Sequence, residues 1–348
     1  MHETDTDFHV PTVDISAYLA DVPDPSARAD VAAQLDRACR EVGFVQIVGH
    51  GIPDDVQADL AAALDEFFAL PLETKRGYRR PGENRGYAPP KSESLSMSLG
   101  VASASAMNDF YEAITVGTEA ADFPDMDLPE VSYPHNTWPE AAPSFRAPVE
   151  EYFRRAQELS RILMSALTDA LGLGAGYFDT LVDHSIEVLK MNNYALPESE
   201  IAVADDLTGM GAHTDFGILT VLWADRVPGL QVLGGDGLWH DVQPAEGALL
   251  VNLGDALARW TNDRWRSTVH RVDPPVVDGR ILRRRSAAFF FDGNHDAVIE
   301  TLPGCLGDGE TGYPPITVAD NIAAKLAGMK DGVAPVGLRE AERVLAAR

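Results

Sequence analysis

The chain has 348 residues, 45% of them hydrophobic and 24% charged, a globular composition that excludes disorder and collagen-like repeats, while two cysteines exclude a disulfide scaffold. Acidic side chains outnumber basic ones 54 to 28, and the formal net charge of −26 repels nucleic acid phosphate and anionic lipid, so neither nucleic acid nor membrane is an expected partner. No apolar run approaches the roughly 20 residues of a spanning helix, and the opening MHETDTDFHV has neither the basic nor the apolar region of a secretion signal, so a cytoplasmic location is expected; Cys39 and Cys305 read as core thiols.

In chain order, Val31, Leu35, Ala38, Cys39 and Val42 recur at helical spacing, with Ser26 as the expected N-cap and Gly43 as the stop. Phe44 to Val48 reads as a buried strand leading into the turn His50-Gly51-Ile52-Pro53. A second helix from about Asp54 buries Val56, Leu60, Leu64, Phe67 and Phe68. Gly77 to Pro90 is an Arg-, Gly- and Pro-rich loop, and Asp122 to Pro148 a Pro-rich wrap. Val149, Tyr152, Ala156, Leu159, Leu163 and Leu167 then mark the longest helix, ending at Gly172. From about Ile186 short apolar runs alternate with Gly, Asp and Pro (IEVLKMNNY, GILTVLWA, GLQVLG, LWHDVQ, ALLVNLG, STVHRV, RRSAAFFF), the texture of a jelly roll, and helical patterning returns from Thr317. The fold class is therefore α+β: a double-stranded β-helix core flanked by N-terminal and C-terminal helices. Its expected divisions are 1–121 (mixed helical region), 122–185 (wrap and long helix), 186–303 (jelly roll) and 304–348 (C-terminal helices), all within one compact unit.

Among nine histidines, His213 stands out because Asp215 follows as HxD at the entrance of an apolar run, where residues two apart share a face. HxD alone is weak. His270, in the β-rich STVHRV, supplies a third ligand, and two imidazoles with one carboxylate form the facial arrangement of a non-haem Fe(II) centre with open coordination positions. In RRRSAAFFF, Arg284 and Ser286 share a face of a buried strand; the guanidinium fork suits a carboxylate held bidentately, with an internal ion pair as the equal alternative. Asn192 and Tyr194 lie on one face of an earlier strand and are supporting candidates.

HxD, the later histidine, RxS before an apolar strand and a preceding N-x-Y strand together resemble the 2-oxoglutarate- and Fe(II)-dependent oxygenases of the isopenicillin N synthase-like superfamily. VPTVDISAYL, ACREVGFVQIVGHGIP, NRGYAPP and GDALARWTNDRWRSTVHRV resemble its landmarks in order, from about Pro11 to about Pro303. The resemblance implies that His213, Asp215 and His270 hold iron and that Arg284 and Ser286, with Asn192 and Tyr194 as lesser contacts, bind the distal carboxylate of 2-oxoglutarate. It implies a dioxygenase that consumes O2, releases succinate and carbon dioxide, and hydroxylates, desaturates or cyclises a small-molecule metabolite. Arg85, Tyr87 and Phe291 are the expected substrate contacts, with 107–111 and 291–295 as further wall segments. Two departures stand out. The interval between His270 and Arg284 is longer than usual, implying a hairpin through Pro274 to Gly279 and making Arg283 and Arg285 rival anchors, and Ala195-Leu196-Pro197 replaces the usual proline pair. The alternatives are an oxidase of the same superfamily that omits 2-oxoglutarate, although no glutamine follows Gln243 to match the iron ligand of isopenicillin N synthase, and a non-catalytic metal- or ligand-binding sensor.

Overall fold

The computed structural model describes residues 8–93, 95, 98, 109–195, 209–274, 276–277, 280–307 and 309–331. The first half contains β1 (Thr12–Asp14), α1 (Pro25–Glu41), β2 (Phe44–Val48), α2 (Asp54–Phe68), α3 (Leu72–Arg76), β3 (Gly86–Ala88), β4 (Glu112–Gly117), α4 (Arg146–Ala170) and α5 (Asp179–Val182). The strands β5 (Ser185–Tyr194), β6 (Met210–His213), β7 (Leu219–Ala224), β8 (Leu230–Leu233), β9 (Trp239–Asp241) and β10 (Leu249–Leu253) follow. After α6 (Asp255–Trp260) come β11 (His270–Val272), β12 (Val276–Val277), β13 (Arg280–Ile281), β14 (Arg284–Asn294), β15 (Val298–Ile299), β16 (Ile316–Thr317) and α7 (Val318–Asp331).

Local chemistry sets the helix ends. Asp24, rather than Ser26, caps α1: its carboxylate accepts from the Ser26 and Ala27 amides, and Pro25 fills the first helical position where no donor is needed. Gly43 ends the segment at φ +73°, where a Cβ would strike the Arg266 carbonyl and the Thr268 hydroxyl, so only glycine lets the chain turn directly into β2. The 25-residue α4 buries Val149, Tyr152, Ala156, Leu159, Leu163 and Leu167 along one stripe.

The jelly roll is built from an eight-stranded sheet, ordered β1-β2-β10-β7-β14-β5-β4-β3, and a four-stranded sheet, ordered β6-β11-β8-β9. The N-terminal region is not a layer of its own: β1 and β2 form one edge of the large sheet, and β3 and β4 the other. A strand thus emerges from the expected Gly77–Pro90 loop, because Gly86 to Ala88 pairs with Thr115 to Ala113. The outer face of the large sheet carries the main apolar core, shared with α1, α2 and α4. A second apolar cluster, including Phe44, Phe110, Tyr194, Met210, Leu230 and Val272, fills the space between the two sheets. The expected hairpin after His270 is β12 paired with β13. Cys39 is buried, Cys305 is half-buried, and both are free thiols.

Candidate active site

The cavity between the sheets is where the candidate ligands meet. His270 of β11 pairs directly with His213 of β6 across the antiparallel ladder, which sets their rings 4.3 Å apart between centroids. Asp215 lies just beyond the end of β6, so strand alternation is not what aims it. The following turn is anchored to the start of α6: the Asp255, Gly254 and Ala256 amides donate to the carbonyls of Asp215, Ile218 and Gly217. Gly254 is required there, since a Cβ would run into the Gly217 main chain. As a result one Asp215 oxygen, Oδ1, lies 3.8 Å from both His213 Nε2 and His270 Nε2.

The remaining atoms of the three side chains are engaged elsewhere, which leaves these three facing one another. His213 Nδ1 lies 2.7 Å from the Gly211 carbonyl and His270 Nδ1 lies 3.1 Å from that of Thr268, which places the proton on Nδ1 and the lone pair on Nε2. Asp215 Oδ2 accepts from the Thr220 hydroxyl at 2.5 Å and the Asn252 amide at 2.6 Å. Burial, then the neighbouring His270, drive His213 toward its neutral form. For Asp215 burial acts in the opposite sense but is outweighed by the two histidines and these hydrogen bonds, so the carboxyl lies below its usual range. Two imidazoles that turn Nε2 inward and one carboxylate, all buried and with ligand atoms within 4.8 Å of one another, make a donor set that fits a divalent transition metal.

A second polar group lies further along β14. Arg284 pairs with Tyr194 and Ser286 with Asn192 across the β14–β5 ladder, so all four side chains line the same cavity. The Arg284 guanidinium is 2% exposed, sits 5.2 Å from the Tyr194 ring centre, and leaves Nε and Nη1 buried without a hydrogen-bond partner. Asn192 Nδ2 donates to Ser286 Oγ at 3.4 Å, while its own Oδ1 is unpartnered. Among the described residues no ion pair accounts for Arg284. The rival arginines point to the opposite face: Arg283 bonds Asn193 and Asp65, and Arg285 bonds Asp225, Asp65 and the Ala61 carbonyl. Unpaired donors on a buried guanidinium match the oxygens of a carboxylate, the group 2-oxoglutarate offers at its distal end.

The expected substrate contacts Arg85, Tyr87 and Phe291 do not line this cavity. Phe291 is fully buried on the outer face of β14 beneath α4, with the Arg161 guanidinium over its ring; Ala288, Phe290 and Asp292 are the cavity-facing members. Tyr87 also points outward, donating to Glu112 Oε2 at 2.6 Å, where Lys75 and Asn193 converge on the same carboxylate. Arg85 is spent on the main chain, donating from Nη1 to the Asn84 carbonyl and from Nη2 to that of Thr118, and its neighbour Asn84 lines the cavity instead. Of the 107–111 wall segment, residues 107 and 108 lie outside the described residues, as do 196 and 197 of the altered proline pair.

Several groups escaped the sequence reading. Thr220 and Asn252 orient Asp215, and Asn252 was signalled as the one polar residue inside the apolar run ALLVNLG. Lys190 Nζ pairs with Glu93 at 2.5 Å on the cavity wall. Lys325 of α7 reaches Asp255 Oδ2 at 2.7 Å in a fully buried ion pair, and the same oxygen accepts from Thr214, the residue between His213 and Asp215. No helix of the described residues is long and apolar enough to cross a membrane.

Comparison with known proteins agrees with this geometry. Residues 10–141 match the family model described as non-haem dioxygenase in morphine synthesis N-terminal, and residues 186–293 match that of the 2OG-Fe(II) oxygenase superfamily. The chain is 37% identical to the 2-oxoglutarate-Fe(II) type oxidoreductase hxnY of Emericella nidulans over 90% of its length and 88% of the relative's. It is 31% identical to validamycin A dioxygenase of Streptomyces hygroscopicus subsp. limoneus, over 96% of this chain and 90% of that one. A full-length Neurospora crassa protein, solved as a crystal structure in complex with alpha-KG and thymine, superposes with a TM-score of 0.77 at 28% identity, covering 91% of this chain and 96% of that chain. The two family models, the identity to these relatives over most of both chains and the likeness of fold lead to one conclusion: the chain belongs to the 2-oxoglutarate- and Fe(II)-dependent oxygenases of the isopenicillin N synthase-like superfamily.

Proposed function

We propose that His213, Asp215 and His270 are the iron ligands of this dioxygenase, that Arg284 and Ser286, assisted by Asn192 and Tyr194, hold the distal carboxylate of 2-oxoglutarate, and that a free small-molecule metabolite is oxidised in the same cavity. The observation that carries the reading is Arg284: a buried cation, two of whose donors find no partner among the described residues, suits a bound anion. Iron and 2-oxoglutarate, when bound, supply the oxidising chemistry, with O2 consumed and succinate and carbon dioxide released.

The chain's own residues do the positioning. The Gly211 and Thr268 carbonyls hold the two imidazoles in the tautomer that presents Nε2, and Thr220 and Asn252 keep one Asp215 oxygen turned toward them. Phe44, Leu95, Phe290 and Leu326 wall the cavity and limit water, which strengthens polar contacts made inside it. The names of the relatives, with 2-oxoglutarate in that of hxnY and alpha-KG bound in the Neurospora crassa structure, support this reading over an oxidase that omits 2-oxoglutarate or a sensor that turns nothing over. The charge of −26 supports a free metabolite in the cytoplasm over a nucleic acid or membrane partner.

The test is succinate formation from 2-oxoglutarate by iron-loaded protein, with and without a metabolite panel followed by mass change. Asp215→Ala is expected to bind no iron and form no succinate while keeping the wild-type circular dichroism spectrum. Normal iron content in that variant would refute the ligand assignment.

A further inference from the structure

The metal set, the two donors to Asp215, the carboxylate cradle and the Lys190–Glu93 pair account for every polar side chain lining the cavity except Asn84 and Asp292. Asp292 is 7% exposed, and among the described residues no hydrogen bond or ion pair reaches its carboxylate. The cation it feels, Arg85, makes no ion pair with it and gives Nη1 and Nη2 to main-chain carbonyls. The surroundings add to the cost, since burial first, then Asp215 and Glu187, push the Asp292 carboxyl up to about 8. A buried carboxyl left without a partner among the described residues is typically retained where a ligand supplies that partner, and a cation placed beside it would favour its charged form.

Its place in the sheet says which ligand. Along the inner row of β14, Phe290 pairs with Thr220, the residue that holds Asp215, so this is the level of the metal set. Arg284 lies six residues to one side of Phe290 and Asp292 two residues to the other. Arg284 and Asp292 therefore lie to opposite sides of that level along the strand, and both line the cavity, so Asp292 is placed apart from the 2-oxoglutarate cradle. Room for its carboxylate is made by Gly217, where any Cβ would collide with the Asp292 side chain. The same cavity is lined by the apolar Phe216, Phe290 and Val188, and the Asn84 side chain is its other polar group with no hydrogen bond among the described residues.

We infer that Asp292 is the specificity-determining anchor for the primary substrate and that this substrate carries a protonated amine or guanidine on an otherwise apolar body. The inference rests on the site assignment proposed above. A charged N–H donor would give the carboxylate the partner the fold withholds, aromatic faces would receive the rest of the cation, and a chain of charge −26 concentrates cations at its surface.

The test uses binding, so that it does not depend on turnover. Full-length protein loaded with Zn(II) and 2-oxoglutarate is titrated calorimetrically with butylguanidinium against butylurea and with benzylammonium against benzyl alcohol. The cationic member of each pair is expected to bind at least tenfold more tightly, and Asp292→Asn to reduce that preference to within twofold. Equal or better binding of the neutral members to wild-type protein would overturn the inference, and that arm needs no variant; a preference that survives Asp292→Asn would overturn it as well. Succinate formation by the iron-loaded protein is measured separately. Its absence alongside a cation preference would refute the dioxygenase reading and leave the anchor standing, and the converse result would do the reverse.

Discussion

Arg284→Lys separates a fork that grips a carboxylate from a charge that merely attracts it. In the structure Nε and Nη1 of Arg284 are both buried without partners among the described residues, and the guanidinium rests on the Tyr194 ring. A lysine ammonium keeps the charge but cannot supply two parallel donors in the plane of a carboxylate. Losing one charge-assisted hydrogen bond costs about 1.5–3 kcal/mol, which corresponds to roughly ten- to a hundred-fold or slightly more in the dissociation constant of 2-oxoglutarate. The assay is calorimetric titration of Zn(II)-loaded protein, with KM for 2-oxoglutarate from succinate formation as a second measure. Arg283→Lys and Arg285→Lys serve as controls, because their side chains are held by Asp65, Asn193 and Asp225 on the opposite face, and both should bind 2-oxoglutarate within twofold of wild type. A further variant, Arg284→Met, should lose 2-oxoglutarate binding yet unfold no more easily than wild type in its absence, since it removes an uncompensated buried charge. An Arg284→Lys affinity within twofold of wild type, with a large loss at either neighbour, would refute the assignment.

Three further outcomes follow from the same geometry. Asn252→Ala removes a donor to Asp215 Oδ2 and should weaken Fe(II) binding about ten- to a hundred-fold in a competition titration, with the circular dichroism spectrum unchanged. Lys325→Met strands the Asp255 carboxylate in a fully buried position and should lower unfolding stability by about 3–5 kcal/mol in denaturant titration, with much of the loss recovered in Lys325→Met/Asp255→Asn. Asp292 sets a pH dependence: its carboxyl is raised from 3.8 to about 8, so the folded chain keeps a proton that the unfolded chain releases, and stability falls as pH climbs through that window and levels off above it. Metal-free wild type should therefore lose stability relative to Asp292→Asn between about pH 4 and pH 8, by at most about 1.4 kcal/mol per pH unit, and parallel stability profiles would contradict this.

Residue spacing carried the jelly roll and the long helices well, because apolar period and turn residues act locally. It carried the three candidate metal ligands less directly. HxD and a later histidine mark candidates, but what joins them is the register of β6 against β11, a non-local pairing, and the Asp215 turn depends on the amide row at the start of α6. Alternation along a strand paired Arg284 with Ser286 but left Arg283 and Arg285 as rivals; it is the structure that sets them aside, tying their side chains to α2 and Asp225. The same parity, carried seven residues further, excludes Phe291 and selects Phe290; the expectation of Phe291 came from treating an aromatic run as a wall without keeping its phase. Arg85 was illegible for a different reason. Its surroundings are main-chain carbonyls, which no side-chain pattern announces, and Gly117 makes room for its guanidinium where a Cβ would clash.

The same distinction explains how α7 bears on the site. Its helical period was readable from Thr317 onward, yet its relation to the metal set depends on two polar side chains that a helical wheel would assign to solvent. Lys325 closes on Asp255, and Asn321 donates to the Phe216 carbonyl at 2.9 Å, so the helix grips both sides of the turn that carries Asp215. Ile322 and Leu326, on the same helix, line the cavity. The C-terminal helix is thus a wall of the cavity and a support of the turn that carries Asp215 at once. Loosening it through Lys325 should therefore lower metal affinity together with stability, whereas a helix that only covers the core would lower stability alone.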